Sequence, residues 1–138
     1  MAKQVNNRNN GIVWRKAAST VFAVGDFIAA DGLGTIIPTT GLDQILGICN
    51  EEILSTDSDY ATERQINISE SLYNDLFEIP VSIGVATNAL EGNYVDVDPA
   101  NPGSVDVTTS IAQQILVVRV INSSLILGKI AQCCISSS

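Results

Sequence analysis

Two segments of this sequence follow one pattern, and that doubling restricts the fold more than any single motif does. Residues 25–46 read GDFIAADGLGTIIPTTGLDQIL, and residues 92–116 read GNYVDVDPANPGSVDVTTSIAQQIL. Gly25, Asp26, Phe27, Ile28 and Asp31 align with Gly92, Asn93, Tyr94, Val95 and Asp98 at one offset. After a short insertion Gly34, Thr35 and Ile36 meet Gly103, Ser104 and Val105, Thr39–Thr40 meet Thr108–Thr109, and Ile45–Leu46 meet Ile115–Leu116. Each copy reads as strand, tight turn, strand, polar link, strand. The chain is therefore expected to be all-β: a small β-barrel or sandwich built from two related hairpin-containing halves, with pseudo-repeats near residues 20–49 and 87–121. Convergence on similar turn residues accounts for the pairing about as well as duplication does, because turns and half-buried strands restrict the choices at each position.

Outside the repeats, residues 1–16 form an extended basic N-terminal arm, and residues 17–138 form a single β domain. The arm opens polar and Asn-rich, with little of its own to bury, and a short strand is expected over residues 12–18. Gln65, Ile66, Asn67, Ile68 and Ser69 alternate with the period of a half-buried strand. Further strands are expected over residues 76–85, with Pro80 at an edge or bulge because it lacks a ladder donor. Residues 115–121 and 125–130 should form a buried hairpin around Asn122-Ser123-Ser124. Residues 50–62 read as a loop with a short helix over 51–54, and the link 38–44 has room for one helical turn.

Chemistry is limited first by what is missing. The chain contains no histidine, which removes Ser-His-Asp and Cys-His nucleophilic sites and imidazole metal ligation. A formal charge of −8 and a pI near 4.2 disfavour nucleic acid as a partner, since phosphate affinity comes from Lys and Arg. Charge is unevenly spread: Lys3, Arg8, Arg15 and Lys16, four of the seven basic residues, all precede the first acid, Asp26. An arm of that sign suits an acidic neighbour. The longest apolar stretch, residues 115–135, is interrupted by Arg119, Asn122 and Lys129, so no membrane span is expected, and no secretory signal is read at the start. Cys49, Cys133 and Cys134 lack the spacing of a disulfide framework or a zinc site and read as reduced thiols.

The acids leave one question open. Asp96 and Asp98 lie two apart and project from one face of a strand, and with Asn101 they have the oxygen-rich character of a cation site. Asp57 and Asp59 pose the same question. The favoured reading for both is a turn stabilised by Asp side chains, and no cofactor, metal or catalytic residue is assigned. Gly25–Gly34 lacks the glycine spacing and the lysine of a phosphate-binding loop. Trp14, the only tryptophan, lies within the basic arm and is a candidate interface anchor.

With Val24-Gly25-Asp26-Phe27-Ile28, Asp31-Gly32, Ile36, Pro38-Thr39-Thr40 and Ile45-Leu46-Gly47-Ile48, the sequence resembles the head decoration proteins of tailed bacteriophages, also called capsid cement or auxiliary proteins. The resemblance covers residues 20–49, with vaguer similarity through the second half, and these residues are scaffold, so no binding residue transfers. It implies a structural virion protein, not an enzyme, that binds the outer surface of an assembled capsid, bridges major capsid proteins and has copies of itself as further partners. Synthesis in the host cytoplasm and residence on the outer shell follow from it. The residues of this chain expected to dock on the capsid are Lys3, Arg8, Trp14, Arg15 and Lys16. The alternatives are another virion component, such as a head-fibre base or tail protein, and a cytoplasmic β-barrel that binds a small ligand.

Overall fold

The computed structural model describes residues 3–4, 11–40, 44–70 and 75–131. It is all-β. The strands are β1 (Lys3–Gln4), β2 (Gly11–Arg15), β3 (Phe27–Ala30), β4 (Ile36–Pro38), β5 (Gly47–Cys49), β6 (Gln65–Glu70), β7 (Phe77–Ile83), β8 (Tyr94–Val97), β9 (Val105–Asp106), β10 (Ile115–Asn122) and β11 (Leu125–Ile130). Among the described residues the only helical element is one 3-10 turn over Asn88–Leu90. The helix expected over residues 51–54 is absent: Ile53 instead makes an isolated antiparallel bridge with Phe22, which brings its side chain into a core.

The strands form two sheets with one topology. The first is ordered β2-β6-β5-β3-β4, the second β7-β11-β10-β8-β9, with β1 added outside β7. A parallel pairing of β7 with β9 at Val81↔Val105 closes the second sheet into a five-stranded barrel. The matching parallel contact in the first sheet is the single bridge Lys16↔Ile36, which joins its two outer strands at one point. Registers coincide as well. Ala29↔Ile37 and Ala30↔Ile36 in the first hairpin correspond to Asp96↔Asp106 and Val97↔Val105 in the second. Gly25 and Gly92 both take positive φ, 93° and 86°, which costs glycine little. Each donates its N–H to the returning strand, to Cys49 O at 2.9 Å and Val117 O at 2.8 Å.

Strand pairing also corrects the end of the repeat. Phe27 pairs with Ile48 and Ile28 with Gly47, whereas Tyr94 pairs with Leu116 and Val95 with Ile115. Gly47–Ile48, not Ile45–Leu46, is thus the counterpart of Ile115–Leu116. Continued along the ladders, this equivalence matches Ile68 with Gly128, Trp14 with Ile79, Arg15 with Pro80 and Lys16 with Val81.

Residues 11–16, assigned to the arm from sequence, are built into the first sheet, since β2 pairs with β6 along its whole length. Alternation along β2 turns Val13 and Arg15 outward and Trp14 and Lys16 inward. The first barrel is filled by Phe22, Ile28, Ile36, Cys49, Ile66 and Ile68, with Trp14 packed against them. The second is filled by Ile79, Val95, Val97, Val105, Ile115 and Ile126 among others. Phe27 and Ile48, on the outer face of the first barrel, belong to this second cluster. Phe27 meets Phe77 edge-on with ring centroids 6.1 Å apart, a geometry worth about 0.5–1.5 kcal/mol beyond area burial. A main-chain bond from Phe27 N to Pro102 O, 3.0 Å, ties the halves together.

Candidate functional site

The docking candidates whose side chains are described, Trp14, Arg15 and Lys16, do not form one surface. Lys3 lies in β1, paired opposite Glu78, and Arg8 lies outside the described residues. Arg15 is exposed on the outer face of β2. Trp14 is half-buried with its ring on the first core, and its indole Nε1 is buried with no hydrogen-bond partner. Lys16 is fully buried, and its Nζ donates to Tyr60 O at 2.9 Å and Thr62 O at 2.6 Å. The ammonium thus holds the 60–62 loop against the barrel and is not presented to a partner. In the second barrel the same backbone position is apolar Val81, packed on the core.

Asp96 and Asp98 are each bonded to main-chain N–H and to a hydroxyl. Asp96 is 6% exposed, and its carboxylate accepts four hydrogen bonds. These come from Thr109 Oγ1 at 2.9 Å, Ile111 N at 2.8 Å, Ala112 N at 3.0 Å and Gln113 N at 2.9 Å. The loop 109–113 wraps around this one side chain, with Gln113 held at φ 53°. Asp98 accepts from Ser82 Oγ at 2.7 Å and from Ala100 N at 3.0 Å, the latter an Asp-stabilised turn. Its counterpart Asp31 accepts from Leu33 N at 2.8 Å and from the Thr35 hydroxyl. Those bonds, the hydroxyl's first, lower its pKa.

Asp57 and Asp59 serve the loop 51–67. Asp57 accepts from Leu54 N at 2.9 Å. Asp59 pairs with Arg64 Nε, and that hydrogen bond lowers its pKa. Arg64 Nη1 also reaches Glu51 Oε1 at 3.0 Å, while Glu51 Oε2 accepts from Asn67 N at 2.6 Å. No sequence signal announced this three-residue network, because its members are joined only when the loop folds back on β6. Among the described residues no three His, Cys, Asp or Glu side chains are grouped as metal ligands.

Two buried groups shift upward for the reason that burial penalises charge. Desolvation raises Asp26, partly offset by the bond its Oδ2 accepts from Ala23 N. Burial pushes the Cys49 thiol up to about 11. Cys133 and Cys134 lie outside the described residues. At the seam between the halves, Thr40 from the first and Asp96, Pro99, Asp106 and Ile111 from the second line an open cleft of about 310 Å³. Asp96 lines it with its oxygens committed to the loop. No family model and no curated protein matches this chain.

Proposed function

We propose that this chain is a structural virion protein that binds the outer surface of an assembled phage capsid, bridges major capsid proteins and so stabilises or decorates the shell. The observation that carries this reading is the duplication. A bridging protein needs two attachment surfaces at a fixed separation, and two register-identical barrels joined through one apolar cluster supply a rigid frame of that kind. Net charge favours the outer wall, since a −8 protein is repelled by packaged DNA. Binding to the assembled shell and not to its separated subunits stabilises the shell by mass action. The interiors of both barrels are occupied by buried side chains, which weighs against the small-ligand barrel.

The test is to mix the purified chain with particles of its source phage and image them. Density at regular positions on the outer shell, with a raised rupture temperature, is expected. Density confined to fibres or tail would move the chain to another virion component, and failure to sediment with any particle would sink the reading.

A further inference from the structure

We propose that copies of this chain associate head to tail, the acidic 50–64 loop on the first barrel of one copy docking on the outer face of β10 and β11 in the second barrel of the next. This goes beyond the shell-binding reading and stands without it. Two barrels of one register differ outwardly in two places, and the differences are complementary. In the first barrel the outward residues of β6 are Gln65, Asn67 and Ser69, and Asn50 Nδ2 donates to Asn67 Oδ1 at 2.6 Å and to Ser69 Oγ at 3.0 Å. That face is polar and bonded to itself. The equivalent residues of β11 are Leu125, Leu127 and Lys129, all half-buried. Across a bulge Leu127 is opposed by both Val118 and Arg119, which are exposed, and Tyr94 stands exposed in one row with Leu116 and Lys129. Among the described residues neither Arg119 nor Lys129 makes a salt bridge, and Glu78, in the row of Leu127, lies opposite Lys3.

The second difference is the link between equivalent strands. Residues 123–124 join β10 to β11, whereas residues 50–64 join β5 to β6. The longer link is braced on its own barrel: Lys16 Nζ holds Tyr60 O and Thr62 O, Ile53 bridges to Phe22, and Arg64 ties Asp59 to Glu51. With Ile53 turned into the core, its neighbours Glu52 and Leu54 turn outward, Leu54 to 43% exposure. Glu63, next to Arg64, is exposed as well. One barrel thus carries a braced acidic loop with an exposed leucine, and the other carries an apolar face set with two cations.

Charge selects the occupant. Bodies of charge −8 repel one another except where a basic patch meets an acidic one. The basic face of one copy and the acidic loop of another meet that condition, whereas two basic faces or two acidic loops would set like charges together. The contact is therefore heterologous, each copy using both surfaces. Nucleic acid, another anion for such a face, is disfavoured by the same net charge.

The test is sedimentation velocity of the full chain from micromolar to millimolar concentration, where wild type should shift to larger species as concentration rises. Arg119→Glu with Lys129→Glu, and separately Glu52→Lys with Glu63→Lys, should each weaken association about tenfold or more while far-ultraviolet dichroism is unchanged. An equimolar mixture of the two double variants should associate again, because each finds its complement in the other. Three results would each overturn the proposal: a wild-type monomer at millimolar concentration, undiminished association of either double variant, or a mixture that stays monomeric. A monomeric wild type whose attachment to particles is lost with Arg119→Glu and Lys129→Glu would overturn it in favour of a shell contact at the same face. Failure of the wild-type chain to sediment with particles would refute the shell reading and leave the association result standing.

Discussion

Replacing Asp96 by alanine should destabilise the protein more than any other change of an acid among the described residues. Its carboxylate receives three main-chain N–H groups and one hydroxyl while 6% exposed. Hydrogen bonds to a charged group each contribute about 1.5–3 kcal/mol, but bonds sharing one acceptor are not additive. Ile111, in the same loop, is 83% exposed, so water can reach part of the loop once the carboxylate is gone. Gln113 would lose the contact that offsets its left-handed backbone, a conformation costing roughly 1–2 kcal/mol. Together these give about 3–5 kcal/mol for Asp96→Ala and roughly 1–2 kcal/mol for Asp96→Asn, whose amide keeps one acceptor oxygen. With a urea slope of about 1–3 kcal/mol per molar, Asp96→Ala should lower the midpoint by about 2 M. Trp14 fluorescence and far-ultraviolet dichroism should report the same transition. A loss below about 1 kcal/mol would refute the view that this side chain organises the loop.

Lys16→Met should stay within about 1.5 kcal/mol of wild type in urea unfolding and sediment with particles undiminished, because Nζ faces the 60–62 loop and Tyr60 O also accepts from Ser19 N at 2.8 Å. Lys16→Ala should cost about 2–4 kcal/mol through the space it leaves, and loss of attachment by a folded Lys16→Met would restore Lys16 to the docking surface. A Cβ at Gly128 would lie 2.7 Å from Ile115 Cγ2 and 3.2 Å from Leu116 O, so Gly128→Ala should cost about 1–3 kcal/mol. Adding Ile115→Ala should make the double variant more stable than the sum of the single losses, and strict additivity would deny the contact. Cys49, buried with its thiol pushed up to about 11, should resist alkylation at pH 8 in the native protein and react on unfolding, as peptide mapping would report; rapid native labelling would contradict its burial.

The strands were legible because their signals are local. Period-two alternation gave β6, the Asn122-Ser123-Ser124 turn gave the β10–β11 hairpin, and the Gly-Asp and Gly-Asn starts gave β3 and β8. Pro80, expected at an edge or bulge, lies in a strand with neighbours on both sides, β11 on one and β1 and β9 on the other. It falls between the pairings of those last two at Glu78 and Val81, where its missing donor breaks no ladder bond. What escaped depended on pairing with distant residues. The polar, acidic composition of 50–62 gave no hint that Ile53 would bridge to Phe22, 31 positions earlier. Lys16 was grouped with the arm by charge, although alternation from Trp14 puts both on one face. Choosing which face is inward required knowing that β6 and β4 flank β2. Asp98 and Asp57 bond within their turns as expected, whereas Asp59 pairs with Arg64 and the fourfold use of Asp96 could not be read from a spacing of 13–17 residues.

The limits of the visible repeat have a physical cause. Sequence comparison registers residue type, whereas a barrel interior constrains the combined volume of neighbours. The second barrel places Ile115 against Gly128, with no room for a Cβ on the glycine. At the equivalent positions the first barrel has Gly47 and Ile68: the large and small members have changed strands. Lys16 and Val81 differ in the same way, one position closing its barrel with a tethered ammonium and the other with an apolar side chain. Such exchanges leave backbone register intact and erase residue-by-residue similarity. The doubling therefore shows in sequence only across β3–β4 and β8–β9, where turns dictate residue type, and fades along β2, β6, β7 and β11. Identical strand order and register through those silent strands weigh toward duplication, since convergence on turn residues constrains only the turns.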